Sequence, residues 1–181
     1  MKKILIISII ALIIQSCVSY KAIYSIIPEN IANEIPLTAN KILIENNTSL
    51  SENYKKSYKT LLSQNYRIDN DNKEMGYILA SKQDIGDTQV RLNIVCGDNS
   101  IKITSEWTAG TQSALMMNAM SGLAAPSMSW YNAQWNKKSD KSTVAFADAV
   151  KIAKVLSDKL IYETAKPIKK DNNKLSNPIY N

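Results

Sequence analysis

Few side chains in this 181-residue chain could do chemistry, and they are scattered. Two are the thiols of Cys17 and Cys96; three are the carboxylates of Asp69, Asp71 and Glu74, close together in DNDNKEMG. Hard cations take such oxygen ligands, but a calcium loop of the EF-hand type needs glycine at its sixth position, where this run has Glu74. The run therefore reads as a solvated turn whose Asp and Asn side chains cap local amides. Cys96 falls on the apolar side of an alternating stretch, which predicts a buried structural thiol; a reactive one needs exposure and a neighbouring base. The chain contains no histidine. That removes the commonest general base, the commonest metal ligand and the usual serine or cysteine triad. Glycine-rich phosphate loops, the G-x-S-x-G elbow, C-x-x-C and S-x-x-K are missing as well. The sequence assigns no catalytic, cofactor-binding or metal-binding residue, and a non-enzyme is expected.

Cys17 differs because of what stands before it. Lys2 and Lys3 open the chain, and residues 4–14 are an apolar run, ILIISIIALII. Eleven residues fall well short of the ~20 a helix needs to cross a bilayer, and match the apolar region of a signal peptide. Ile14-Gln15-Ser16-Cys17 resembles a bacterial lipobox, with an aliphatic residue at −3, a small one at −1 and cysteine at +1. The resemblance implies a diacylglycerol on the Cys17 thiol, cleavage after Ser16 and acylation of the new N-terminus. Two or three acyl chains hold a protein firmly to a membrane, whereas one is marginal. Val18 stands where aspartate would favour inner-membrane retention, and no acidic run follows; among lipoproteins this implies the outer membrane, facing the periplasm. The competing reading is an ordinary secretory signal in which Cys17 is incidental.

With residues 1–16 set apart as signal peptide, the remainder is the size of one domain. Loss of Lys2 and Lys3 takes the net charge from +6 to +4. Lysines alternate with acids rather than forming the basic stripe of a nucleic-acid binder, so no nucleic-acid partner is expected. With Cys17 in a thioether, Cys96 has no partner for an intramolecular disulfide.

The elements follow from periodicity and punctuation. Residues 17–40, interrupted by Pro28 and Pro36, read as lipid anchor and tether, with Ile26 and Ile27 able to dock on the domain, and 41–166 as a single domain. KILIE (41–45) is a short strand. Ser49-Leu50-Ser51-Glu52 fits the capping box, and Leu50, Tyr54, Tyr58, Leu61 and Leu62 mark one face of a helix reaching about Gln64. Tyr66 and Ile68 start a strand, DNDNKEMG turns, and YILASKQ returns. In 88–107, Val90, Leu92, Ile94 and Cys96 alternate with polar residues, and a turn at 97–100 closes an antiparallel hairpin ending near Trp107. WYNAQW supplies a short edge strand. Ser142 caps a last helix running towards Pro167, its buried face Phe146, Ala149, Val150, Ala153, Leu156 and Leu160. The tail, 167–181, is polar and flexible.

This order predicts an α+β fold: an antiparallel sheet of about four to five strands with two helices packed on one face. Element order and the stretch from the first helix through Tyr66 and Ile68 to MGYILAS resemble the helix-grip, or TATA-binding-protein-like, domains of small bacterial lipoproteins such as BamC. That resemblance implies a domain that binds proteins or small apolar ligands and inherits no catalytic site.

Between Glu106 and Lys137 no charged residue appears. Met116, Met117 and Met120, with Trp130 and Trp135 beyond, are the candidate contact surface, since methionine repacks readily and tryptophan anchors interfaces. A short helix is expected within 113–123. A buried connector and a membrane-contacting segment are the competing readings. The function these readings favour is a periplasm-facing envelope lipoprotein, membrane-bound through Cys17 and acting as a protein-interaction or assembly-accessory module with an envelope protein as partner. The alternative is a carrier of a small apolar ligand between sheet and C-terminal helix.

Overall fold

Alternation builds the centre of the molecule. A computed structural model describes residues 23–82, 88–109, 129–138 and 140–165. Strand β4 (Thr88–Gly97) buries Val90, Leu92, Ile94 and Cys96 and turns Gln89, Arg91, Asn93 and Val95 the other way. Strand β5 (Ser100–Ala109) pairs with it antiparallel, setting Ile94 opposite Ile103 and Cys96 opposite Ile101. The expected hairpin register holds, because a slip of one residue would carry four core side chains to the wrong face.

Around this hairpin lie β1 (Ala39–Glu45), β2 (Arg67–Asn72), β3 (Tyr77–Lys82), β6 (Tyr131–Asn132) and β7 (Ile161–Thr164). All pair antiparallel, in the order β2-β3-β4-β5-β1-β7, with β6 on β5 beside Glu106 and Trp107. Among the described residues the sheet therefore has seven strands, not four to five. β6 continues along β5 where β1 leaves it, and Trp135 N–H then bonds Ala39 O at 2.8 Å.

Among the described residues three helices accompany the sheet: α1 (Glu29–Glu34), α2 (Leu50–Ser63) and α3 (Lys141–Leu156). α2 lies over β2 to β5, and α3 over β4, β5 and β1. The α2 capping box forms as expected, Ser49 and Glu52 exchanging bonds. The helix stops at a Schellman motif: Asn65 takes φ +60°, its N–H bonds Leu62 O at 3.1 Å, and Tyr66 N–H bonds Leu61 O at 3.0 Å.

Other expectations are corrected. The tether was placed at 17–40, yet over 23–40 Ile23, Ile27, Ala32 and Ile35 are core residues and Ala39 already belongs to β1. Apolar side chains at 23, 27, 32 and 35 bury more area against the domain than a solvated linker would. The DNDNKEMG turn is shorter, since β2 runs to Asn72 and only residues 73–76 turn. Asp140, not Ser142, caps α3, accepting the Thr143 N–H at 2.8 Å; the Ser142 hydroxyl instead accepts the Gln134 N–H at 2.9 Å. α3 ends at Leu156, where Ser157 is extended, and Leu160 and the following residues lead into β7 rather than extending the helix.

Candidate functional site

The face α2 buries differs from the one its large apolar residues mark. Asn53, Tyr54, Ser57, Thr60 and Leu61 are buried, while Leu62 is 50 % exposed. Hydrogen bonds explain the rotation. Asn53 Nδ2 donates to Gly97 O at 2.9 Å, and its Oδ1 accepts from Asn46 Nδ2 at 2.8 Å and Thr48 Oγ1 at 2.6 Å. Leu50 N–H bonds Asp98 Oδ1 at 2.9 Å. The start of α2 is thus tied to the β4–β5 turn, and buried polar groups so satisfied fix one orientation.

That rotation leaves Tyr58 half-buried at the surface, beside a groove. Ser51, Lys55 and Lys59 form one row along α2 at i, i+4 and i+8, and Tyr54 and Tyr58 the neighbouring row. Asp71 from β2 and Lys73 from the turn after it form the opposite wall. The groove encloses about 520 Å³ and follows α2 for roughly 12 Å, at 1.5 Å per residue. The two tyrosine rings lie 5.8 Å apart between centroids, tilted by 32°. The Tyr54 hydroxyl donates to the Asp71 carboxylate. Burial, and next the bond to Asp71, push the Tyr54 phenol up to about 12. It holds its proton at neutral pH and remains a donor. Tyr54 is therefore poorly matched to acid–base work, which wants a pKa near the working pH. The groove's three ammonium groups face one carboxylate, a net positive wall.

The sequence-derived candidates distribute as follows. Cys17, Met116, Met117 and Met120, with the helix expected within 113–123, lie outside the described residues. Trp135 is not a contact residue: it is 3 % exposed and belongs to the core. Its backbone bridges to β1, which draws the indole inward. Trp130 is half-buried, with the Arg91 guanidinium carbon 4.2 Å from its ring centroid. Arg91 also pairs with Glu106 across β4 and β5, Nε to Oε2 at 2.7 Å. Asp69 pairs with Arg67 at 2.9 Å while Asp71 faces Tyr54, so the three carboxylates of DNDNKEMG do not converge. Among the described residues no His, Cys, Asp or Glu cluster could hold a metal. Cys96 is buried, 3.6 Å from Ser57 Oγ, and burial pushes its thiol up.

Sequence reasoning missed the groove because it placed Tyr54 and Tyr58 together on the buried face; that holds for Tyr54, whereas Tyr58 is half-buried at the opening. The usable signal was Lys55 and Lys59 at i, i+4, each following one of those tyrosines.

One buried acid stands apart. Asp148 of α3 is 2 % exposed and accepts the Tyr66 hydroxyl. Burial pushes its carboxyl up from 3.8 to about 6, with Lys151 pulling it back. Lys82 lies over the Tyr66 ring at 5.5 Å, and burial lowers its pKa, aided by Lys151. The folded state therefore binds the Asp148 proton more tightly than the unfolded chain does. On this account stability is full below about pH 4, falls as pH rises to about 6, and is flat above, a change of about 3 kcal/mol. Asp148→Asn keeps an acceptor for Tyr66 and removes the ionisation. The variant should match the wild type near pH 4 and exceed it at pH 7 in urea titrations. A constant difference at both pH values would mean that Asp148 stays ionised throughout.

Compared with protein-family models, with curated proteins and with solved structures, the chain matches none.

Proposed function

We propose that this chain is a bacterial envelope lipoprotein, anchored through Cys17 and facing the periplasm from the outer membrane, whose α+β domain recognises a partner without catalysis. The anchoring rests on the order of parts ahead of Cys17: two lysines, an apolar run of signal-peptide length, then IQSC. The recognition half is carried by one observation, where the open space lies among the described residues. Ile94, Ile103, Phe146 and Val150 are each wholly buried between sheet and α3, and filled cores of this kind leave a carried ligand little room. The groove beside α2 instead opens to solvent between charged side chains. That contrast favours an interaction module over the carrier.

Two measurements test the two halves. Cys17→Ser should abolish incorporation of a fatty-acid analogue and release the protein from membranes; equal labelling of the variant would remove the lipoprotein reading. Affinity capture of the labelled wild type from its native envelope should retain a partner that Lys55→Glu, Lys59→Glu protein loses. Capture of the same partner by both would mean that the groove takes no part.

A further inference from the structure

The groove that supports this reading also carries a chemistry of its own. Lys55 and Lys59 stand four residues apart on α2, an arrangement in which like charges repel. Among the described residues neither they nor Lys73 forms an ion pair, although Lys41, Arg67 and Arg91 all do. Lys56, the other lysine in this turn, is used structurally, donating to Leu156 O at 2.7 Å. Three uncompensated ammonium groups thus surround one concavity. Asp71, the one acid there, already accepts the Tyr54 hydroxyl. Between the charges lies the Tyr54–Tyr58 pair, with Tyr58 half-buried and its ring beside the opening.

From this juxtaposition we infer that the groove binds a small anionic sugar, one ring bearing a carboxylate or a phosphate. The anionic group is held by Lys55, Lys59 and Lys73, and the apolar face of the ring lies against Tyr58. Size agrees: about 520 Å³ is within the range of small-molecule sites, roughly 300–1,000 Å³. Lysine ammonium groups act as mobile point charges, without the planar fork by which arginine grips a carboxylate or phosphate in one fixed geometry. The groove therefore accepts either anion, and the half-buried Tyr58 ring supplies the selectivity for a ring. An extended acidic peptide fits less well. Acidic peptide motifs are gripped by clusters of arginine, whereas the cations lining this groove are all lysines.

The inference rests on the domain being a recognition module, but its test does not depend on the lipid anchor or on a protein partner. Full-length protein in detergent is titrated with glucuronate, glucose 6-phosphate, glucose and tetraglutamate, followed by amide chemical shifts. Both anionic sugars should give saturable shifts centred on residues 54–59 and 71–73. Glucose should bind far more weakly, and added salt should weaken the anionic sugars through screening. Lys55→Glu with Lys59→Glu should raise the dissociation constant for both anions by well over tenfold, since two charge-assisted contacts are lost and two like charges introduced, with an unchanged circular dichroism spectrum. Tyr58→Ala should weaken the sugars without affecting inorganic phosphate. No saturable shift with either anion, equal binding of glucose, or binding of tetraglutamate alone would each overturn the assignment. If the sugars bind but envelope capture brings down no partner, the ligand site stands and the protein-interaction reading falls.

Discussion

Gly76→Ala should destabilise the domain by more than about 4 kcal/mol, at the upper end of single substitutions. Gly76 has φ +68°, a conformation that costs an L-residue about 1–2 kcal/mol by itself. The larger effect is steric. A Cβ there would lie 2.1 Å from the Cys96 carbonyl oxygen and 3.3 Å from Cys96 Cβ. The obstacle is backbone in the central strand β4 and cannot rotate aside. Either β3 separates from β4 at this corner or the turn is remade, and the Cys96 N–H to Gly76 O bond of 2.8 Å is lost in both cases. Gly97→Ala is the control. Its Cβ would meet the Ser100 hydroxyl at 3.2 Å, the end of a small side chain, at an ordinary φ. Urea titrations should give that variant a loss under about 1 kcal/mol, within the range of substitutions away from special features. Similar losses for the two would mean that the 73–76 turn does not hold Gly76 against Cys96.

Phe146→Ala should cost about 3–5 kcal/mol. Phe146 is the largest wholly buried side chain among the described residues and the chain's one phenylalanine. It sits on the face α3 turns to the sheet, with the Tyr162 ring 6.5 Å away between centroids. Truncation removes apolar area and leaves a cavity among strands that cannot collapse without breaking ladder bonds. Small domains have only about 5–15 kcal/mol of stability in total, so the melting temperature should fall steeply, with the denaturant slope unchanged if folding remains two-state. A loss below about 1 kcal/mol would mean that α3 is seated by its alanines alone, Phe146 being peripheral.

Local signals were the legible ones. Alternation through 88–107 fixed the faces of β4 and β5, because each residue's side is set by its neighbours at period two. Ser49 and Glu52 marked the start of α2, since a capping box is complete within four residues. The groove was half-legible: its lysines were visible, but spacing placed both tyrosines on the buried face of the helix, where only Tyr54 lies.

By itself, then, the sequence determined the fold class, the hairpin register, the α2 cap and the buried face of α3 through Leu156. Each is fixed by residues within a few positions of one another. Tertiary structure decided the rest. β7 exists because residues 161–164 find β1, far away in the chain, where Lys41 pairs with Glu163 at 3.1 Å; read locally they continue a helix. Asp140 was chosen over Ser142 because Asn136 reaches it at 2.5 Å, although both residue types cap well. Ile23, Ile27, Ile35 and Trp135 were drawn into the core by surface that other segments expose. Burial of Asn53 and Ser57 rather than Leu62 depended on acceptors supplied by the β4–β5 turn. Polar burial is stable only when partners arrive from elsewhere in the chain. For that reason the rotation of α2, and with it the opening of the groove, could not be read from the helix alone.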